Sequence, residues 1–169
     1  MQRIIIIGCP GSGKSRLSKI LAKRLNLPLV HLDKLFWKPN WEEVSKEQFD
    51  KLLVEELKKP SWILDGNFSR TLELRLKYAD GVILLNYPAL TCVLRVLKRV
   101  VKNSGKSRED MTEGCNERLD IPFLKYVRSF KRTRLPQMKK ILNQSNVPVI
   151  EIKNDRELKS FINSLPNNE

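Results

Sequence analysis

The densest chemical signal is a run of eight residues, Gly8-Cys9-Pro10-Gly11-Ser12-Gly13-Lys14-Ser15, which fits G-x-x-x-x-G-K-[ST] at every fixed position. Glycines in this pattern let backbone N–H groups turn inward around phosphate oxygens. A helix starting at Lys14 adds the positive end of its dipole. Lys14 is expected to reach the β- and γ-phosphates of a nucleoside triphosphate, and the Ser15 hydroxyl to ligate Mg²⁺. Gly8, Pro10, Gly11, Ser12, Gly13 and Arg16 complete the expected phosphate shell, with ATP and Mg²⁺ as the expected cofactors. Cys9 lies inside the loop. It reads either as a thiol activated by the helix terminus or, more plainly, as a small filler.

Two acids, Asp33 and Asp65, each follow a short apolar run. One can help hold Mg²⁺ while the other orients or deprotonates an acceptor hydroxyl; either can instead cap the next helix. His31, the single histidine, stands two residues before Asp33, so both are expected on one face of a strand. Its plain reading is a packed, hydrogen-bonded side chain. Phe36, Trp37 and Trp41 either line a pocket for a flat ring or pack a loop. Asn67 can read a base edge or fill a tight turn beside Gly66.

These residues need a frame. Residues 3–7 form a β-branched run that reads as a buried parallel strand. Further strands are expected at 28–32, 62–64, 82–85 and 147–152. Helices are expected to follow Lys14, to follow the capping box Ser45-x-x-Gln48, and to cover 71–78, 89–102, 123–142 with a break at Pro136, and 155–165. This alternation implies an α/β fold of three layers, α/β/α, with a five-stranded parallel sheet and right-handed crossovers. Ligands then bind beyond the carboxyl ends of the strands, where Gly8, Asp33 and Asp65 all fall. Residues 103–120 are polar, contain Gly105 and Gly114, and read as a short lid. The whole span 1–169 is expected to be one domain.

Composition agrees with a globular protein: 169 residues, 41% hydrophobic, seven Gly and nine Pro. Apolar runs fall far short of the ~20 residues of a membrane helix, and the start does not resemble a signal peptide. Three scattered cysteines fit neither a disulfide framework nor a zinc spacing, so a reducing cytoplasm is expected. Lys+Arg 32 against Asp+Glu 19 gives a net charge of +13, which points to polyanionic partners. Residues 121–140 carry seven cations and no acid. Arg108, Arg118, Arg132 and Arg134 are candidates to reach a transferring phosphoryl group as a cis arginine finger. The remaining cations form either solvated surface or a nucleic-acid-binding face, although no helix-turn-helix, RNA-binding or zinc-finger signature is present. A nucleotide-binding regulator associated with nucleic acid is therefore the alternative to an enzyme. The sequence does not specify an oligomeric state.

The phosphate loop places the chain among P-loop NTPases, and the chain resembles the adenylate kinase branch. It resembles still more a group of related bacterial DNA topology modulation proteins, through HLDKLFWKPNW, WILDGNFSRTLELRL and the run from Arg95 to Arg118 that contains KSREDMTEGCNER. The resemblance implies a Mg²⁺-dependent transfer of the ATP γ-phosphate to a small acceptor, a nucleotide or nucleoside. It implies that Asp65 of Asp65-Gly66 holds a Mg²⁺-bound water and that Arg70, at a different spacing from that of adenylate kinases, grips an acceptor phosphate. Arg95 and Arg99, at i, i+4, would stack near adenine and touch ATP phosphates. The 153–155 loop would cup the adenine, or is a plain strand-to-helix turn. The chain departs from adenylate kinases at His31-Leu32-Asp33, where the Asp is similar to that of shikimate-kinase-type enzymes. Its lid candidate is short and lacks a four-cysteine zinc site.

Overall fold

A computed structural model describes residues 1–166. The expected C-terminal limit at Glu169 lies outside the described residues. The chain runs β1 (Arg3–Gly8), α1 (Lys14–Leu25), β2 (Leu29–His31), α2 (Leu32–Phe36), β3 (Trp37–Lys38), β4 (Glu42–Glu43), α3 (Lys46–Leu57) and β5 (Trp62–Asp65). It continues through α4 (Leu72–Leu76), β6 (Gly81–Leu85), α5 (Ala89–Asn103), α6 (Ile121–Thr133), α7 (Leu135–Asn143), β7 (Val149–Ile152) and α8 (Asp155–Asn163).

Five strands form one parallel sheet in the order β2-β5-β1-β6-β7. Side chains of a strand alternate between faces, so a strand buried at every residue is covered on both sides. Ile4 to Ile7 of β1 are at most 1% exposed, and β5 and β6 are buried throughout. That is the expected three-layer α/β/α arrangement. The edge strands β2 and β7 are less buried, as edges are.

The structure differs from expectation at three places. The second strand stops at His31, because Leu32 turns inward to complete burial and starts α2. Asp33 therefore sits in the first turn of a short helix, and His31 and Asp33 do not share a strand face. Next comes an unexpected hairpin, β3–β4, which pairs Trp37 with Glu43 and turns through Asn40 in the left-handed region at φ 62°. Asn tolerates that conformation because its short side chain can bond locally. The fifth strand begins at Val149, two residues later than expected.

Caps fall where the residues predict. The Ser45 side chain accepts from the Gln48 N–H at 3.1 Å, and the Asp120 side chain from the Phe123 N–H at 2.8 Å. The expected break near Pro136 separates α6 from α7, with the proline in the first turn of α7. Residues 104–120 contain no strand or helix, but two isolated bridges pin them, Ser104 to Glu117 and Ser107 to Asn116. Among the described residues no helix is long and apolar enough to cross a membrane.

Candidate active site

β1 ends at the centre of the sheet, and the chain leaves it as the phosphate loop. Gly11 adopts φ +82°, and a Cβ there would come within 2.5 Å of the Cys92 carbonyl oxygen of α5. Glycine thus lets the loop pass close under α5. α1 starts directly at Lys14, so the amides of its first turn lack intrahelical acceptors and remain available to an anion. The Lys14 ammonium arcs back over the loop and donates to the carbonyls of Gly8 at 3.0 Å and Cys9 at 3.3 Å. Cys9 is buried; hydrogen bonding with Cys92 and burial both push its thiol up, which favours the filler reading. Ser12 is fully buried with its hydroxyl unpartnered.

Asp65 closes β5 beside the loop and is 4% exposed. Its Oδ2 lies 2.9 Å from His31 Nδ1, and a carboxylate only accepts, so Nδ1 carries the proton. His31 thus takes its plain role, as an orienting partner. The second oxygen, Oδ1, is buried without a hydrogen-bond partner while the residue lines the cleft. Asp33 faces the same space. Burial pushes its pKa up to about 6, with Lys14 opposing and Asp65 adding to the rise.

The turn after β5 braces the loop. Asn67 Oδ1 accepts the Gly8 N–H at 3.0 Å, so that oxygen is engaged by the loop and not by a base edge. The turn is itself held by Arg75, a fully buried side chain that sequence reasoning missed. Its guanidinium donates to the carbonyls of Gly66 at 3.0 Å, Asn67, and Phe68 at 3.1 Å. Burial lowers its pKa to about 9, which leaves it cationic at neutral pH. Arg75 falls on the apolar spacing Leu72-Arg75-Leu76, and a charge on the buried face of a helix was the available signal. Gly66 is required where the turn crosses α2: a Cβ would sit 2.9 Å from the Leu32 Cβ at a φ of +146°.

The 103–120 segment lies across the opening. Ser15 Oγ donates to Asp110 Oδ2 at 2.7 Å. Asp110 also pairs with Arg108 at 3.1 Å, Arg108 with Glu117 at 2.8 Å, and Glu117 with Arg99 of α5 at 2.8 Å. Burial acts to raise Asp110, but Arg108 and the Ser15 hydroxyl outweigh it and hold the carboxyl low. Burial lowers the Arg99 pKa. The far side of the segment bonds to the β3–β4 hairpin, with the Asn40 N–H donating to Gly114 and the Trp41 indole to Asn116, both at 3.3 Å. Asp110 and Glu117 were not singled out by sequence, because acids in a polar loop carry no periodic signal.

The resulting cleft is about 1300 Å³. Lys14, Ser15, Arg16, Asp33, Trp37, Asn67, Arg95, Arg99, Arg108 and Arg118 all line it, as does Phe68, which sequence reasoning did not pick. Arg95 lies over the Tyr87 ring at 4.7 Å and pairs with Asp155 at 2.7 Å, tying α5 to the 153–155 loop.

Three expected site residues stand elsewhere. Arg70 lies outside the cleft lining and pairs through two nitrogens with Asp50 of α3, at 2.6 and 2.9 Å. Its reading as the grip on an acceptor phosphate is corrected. Arg132 is exposed and outside the cleft. α6 turns Phe123 and Tyr126 to the cleft and buries Val127 and Phe130, which leaves position 132 facing away. Arg134 is likewise exposed and outside.

Comparison with known proteins agrees with this arrangement. A family model described as an AAA domain matches residues 4–115, the stretch from β1 through most of the lid candidate. The chain belongs to the AAA domain family. Curated relatives include an adenylate kinase of Wigglesworthia glossinidia brevipalpis, 32% identical over 100 residues, covering 50% of this chain and 47% of that protein. An adenylate kinase 8 of Xenopus tropicalis is 29% identical over 129 residues, covering 62% of this chain and 26% of that protein. The matched stretches thus span under half the length of these relatives. Solved structures share the fold along nearly all of this AAA domain chain. Shikimate kinase from Acinetobacter baumannii in complex with shikimate has a TM-score of 0.59 at 17% identity, covering 95% of this chain and 91% of that one. Deoxyadenosine kinase from M. mycoides with bound dATP has a TM-score of 0.57 at 16% identity, covering 95% and 97%.

Proposed function

We propose that the chain is an ATP-dependent phosphotransferase that moves the γ-phosphoryl group of ATP to a small acceptor, a nucleotide or nucleoside. The observation that carries this reading is the phosphate loop, with Lys14 and Ser15, facing the buried Asp65 and the half-buried Asp33 across one cleft. The adenylate kinase relatives support a nucleotide kinase. Backbone amides of Gly11 to Ser15 and Lys14 bind the triphosphate. Arg16, Arg95 and Arg99 flank it, and Arg108 or Arg118 meets the transferring group. Asp33 orients the acceptor hydroxyl and takes its proton.

Mg²⁺ fits the residues present: the Ser15 hydroxyl and the unpartnered Asp65 Oδ1 are hard oxygen donors, of the kind this ion takes together with water and phosphate oxygens. When bound, the ion neutralises charge on the phosphate oxygens. Residues 103–120 act as the lid of a single domain, excluding water once the Ser15–Asp110 bond is exchanged for ligand. The three stretches of resemblance support a place among the DNA topology modulation proteins within the adenylate-kinase-related branch. Three free cysteines support a reducing, cytoplasmic setting.

The test is ADP formation from Mg²⁺·ATP with a panel of nucleosides, nucleoside monophosphates and hydroxy acids. Turnover with one acceptor, lost in Lys14→Ala, is the expected result. Equal ATP binding by wild type and Lys14→Ala overturns the reading.

A second reading, a nucleic-acid-associated regulator with little turnover, is favoured by one observation. Lys125, Arg128, Lys131, Arg132 and Lys140 of α6 and α7, and Arg134 between these helices, are all exposed.

A further inference from the structure

We propose that the acceptor is an uncharged nucleoside, a flat heterocycle bearing a free sugar hydroxyl, and that the cleft rejects nucleoside monophosphates and anionic hydroxy acids. The inference rests on the phosphotransferase reading and narrows its acceptor class.

The cleft is electrostatically divided. Its cations come from the phosphate loop and α1, from α5 and from the lid. The half built by residues 29–71 contributes only acids as charged lining: Asp33, Glu43 and Asp65. Lys34, Lys38 and Arg70 belong to the same stretch, and none of them faces the cleft. Arg70 is committed to Asp50, and Arg75 to the backbone carbonyls of the turn after β5. From the lid, Arg118 comes near Trp41 and Arg108 acts on Asp33, so two lid cations face three acids. A second phosphate placed here would meet like charge in a partly desolvated space, where such repulsion is strong.

The apolar lining of the same half suits a flat ring. Trp37 and Trp41 meet edge to face at 5.5 Å, and Phe68 adds a third aromatic wall. Phe36 and Phe49 pack on Phe68, with ring centroids 5.1 and 4.9 Å away. Among the described residues none donates a hydrogen bond to the Asp33 carboxylate, which is open to an incoming hydroxyl. In the transfer, the nucleoside hydroxyl oxygen forms a bond to the γ-phosphorus. The bond from that phosphorus to the β–γ bridging oxygen breaks, ADP leaves with the electron pair, and the hydroxyl proton passes to Asp33.

The test uses the full chain at neutral pH with two readouts, tryptophan fluorescence for binding and ADP formation for turnover. The ligands are adenosine, deoxyadenosine, guanosine and cytidine, their 5′-monophosphates, and shikimate. The expected result is saturable quenching by a nucleoside, with its monophosphate about tenfold or more weaker, and the same order in turnover. Glu43→Lys, an exposed change, is expected to strengthen monophosphate binding by about tenfold relative to the nucleoside. A monophosphate or shikimate that binds or turns over as well as the nucleosides overturns the inference and leaves the kinase reading standing. Failure of every nucleoside to bind also overturns it. Nucleoside-selective binding without ADP formation from any acceptor keeps the selectivity and removes the phosphotransferase reading.

Discussion

Asp33 is the residue at which function and stability pull apart. Burial raises its pKa to about 6, above the value of an unfolded chain. The folded state therefore holds its proton more tightly, and the stability this confers is complete below the unfolded pKa and lost as pH rises through about 6. Asp33→Asn removes that loss. It is expected to stabilise the protein by roughly 1–3 kcal/mol above pH ~7, read by urea unfolding at two pH values. The same variant is expected to lose on the order of a hundredfold or more in kcat, because Asn cannot take the hydroxyl proton. In the wild type, kcat is expected to rise with pH through about 6, as the carboxylate forms. A kcat flat across that range, with Asp33→Asn as active as wild type, would remove Asp33 from proton transfer.

At the scale of elements, two charged clusters keep loops in place. Arg75 of α4 satisfies three successive carbonyls of the turn after β5, and that turn holds Gly8 through Asn67. Arg75→Met leaves those carbonyls buried and unpaired, and is expected to cost about 3–5 kcal/mol in unfolding free energy. Arg75→Lys keeps the charge but not the fork, and is expected to recover part of that loss while still weakening ATP binding. Glu117, 6% exposed between Arg99 and Arg108, joins the lid to α5. Glu117→Gln is expected to speed proteolytic cleavage within 104–120 without ligand, with Mg²⁺·ATP restoring protection. Unchanged cleavage would show that the lid is held by its bonds to the hairpin instead.

The whole molecule carries +13, and the exposed cations of α6 and α7 point away from the cleft. If this face tracks a phosphate backbone, duplex DNA binding falls steeply with salt through counterion release. Reversing Arg128 and Lys131 together is expected to lower the slope of log K against log salt by about 1 per contact removed, with phosphotransfer unchanged. DNA binding that is weak and insensitive to these changes assigns the face to solvent.

Legibility followed the reach of the interactions. The five-residue run Arg3 to Ile7, the phosphate loop, the strand endings at Gly8 and Asp65, the Ser45 cap and the break near Pro136 were all readable in the sequence. Each is set by neighbours a few positions away, where periodicity, capping and φ preference act. Tertiary structure decided which charges face the cleft. Arg70 looked like a substrate ligand, but Asp50, twenty residues earlier, captures it. Arg75 drew no reading from the sequence, and the fold buries it under a turn. Asp110 and Glu117 reach Ser15 and Arg99 only because the 103–120 segment folds back across the sheet. A guanidinium or carboxylate has several partners within reach of its long side chain, and its choice among them depends on which elements the fold brings together and what each partner loses on leaving water.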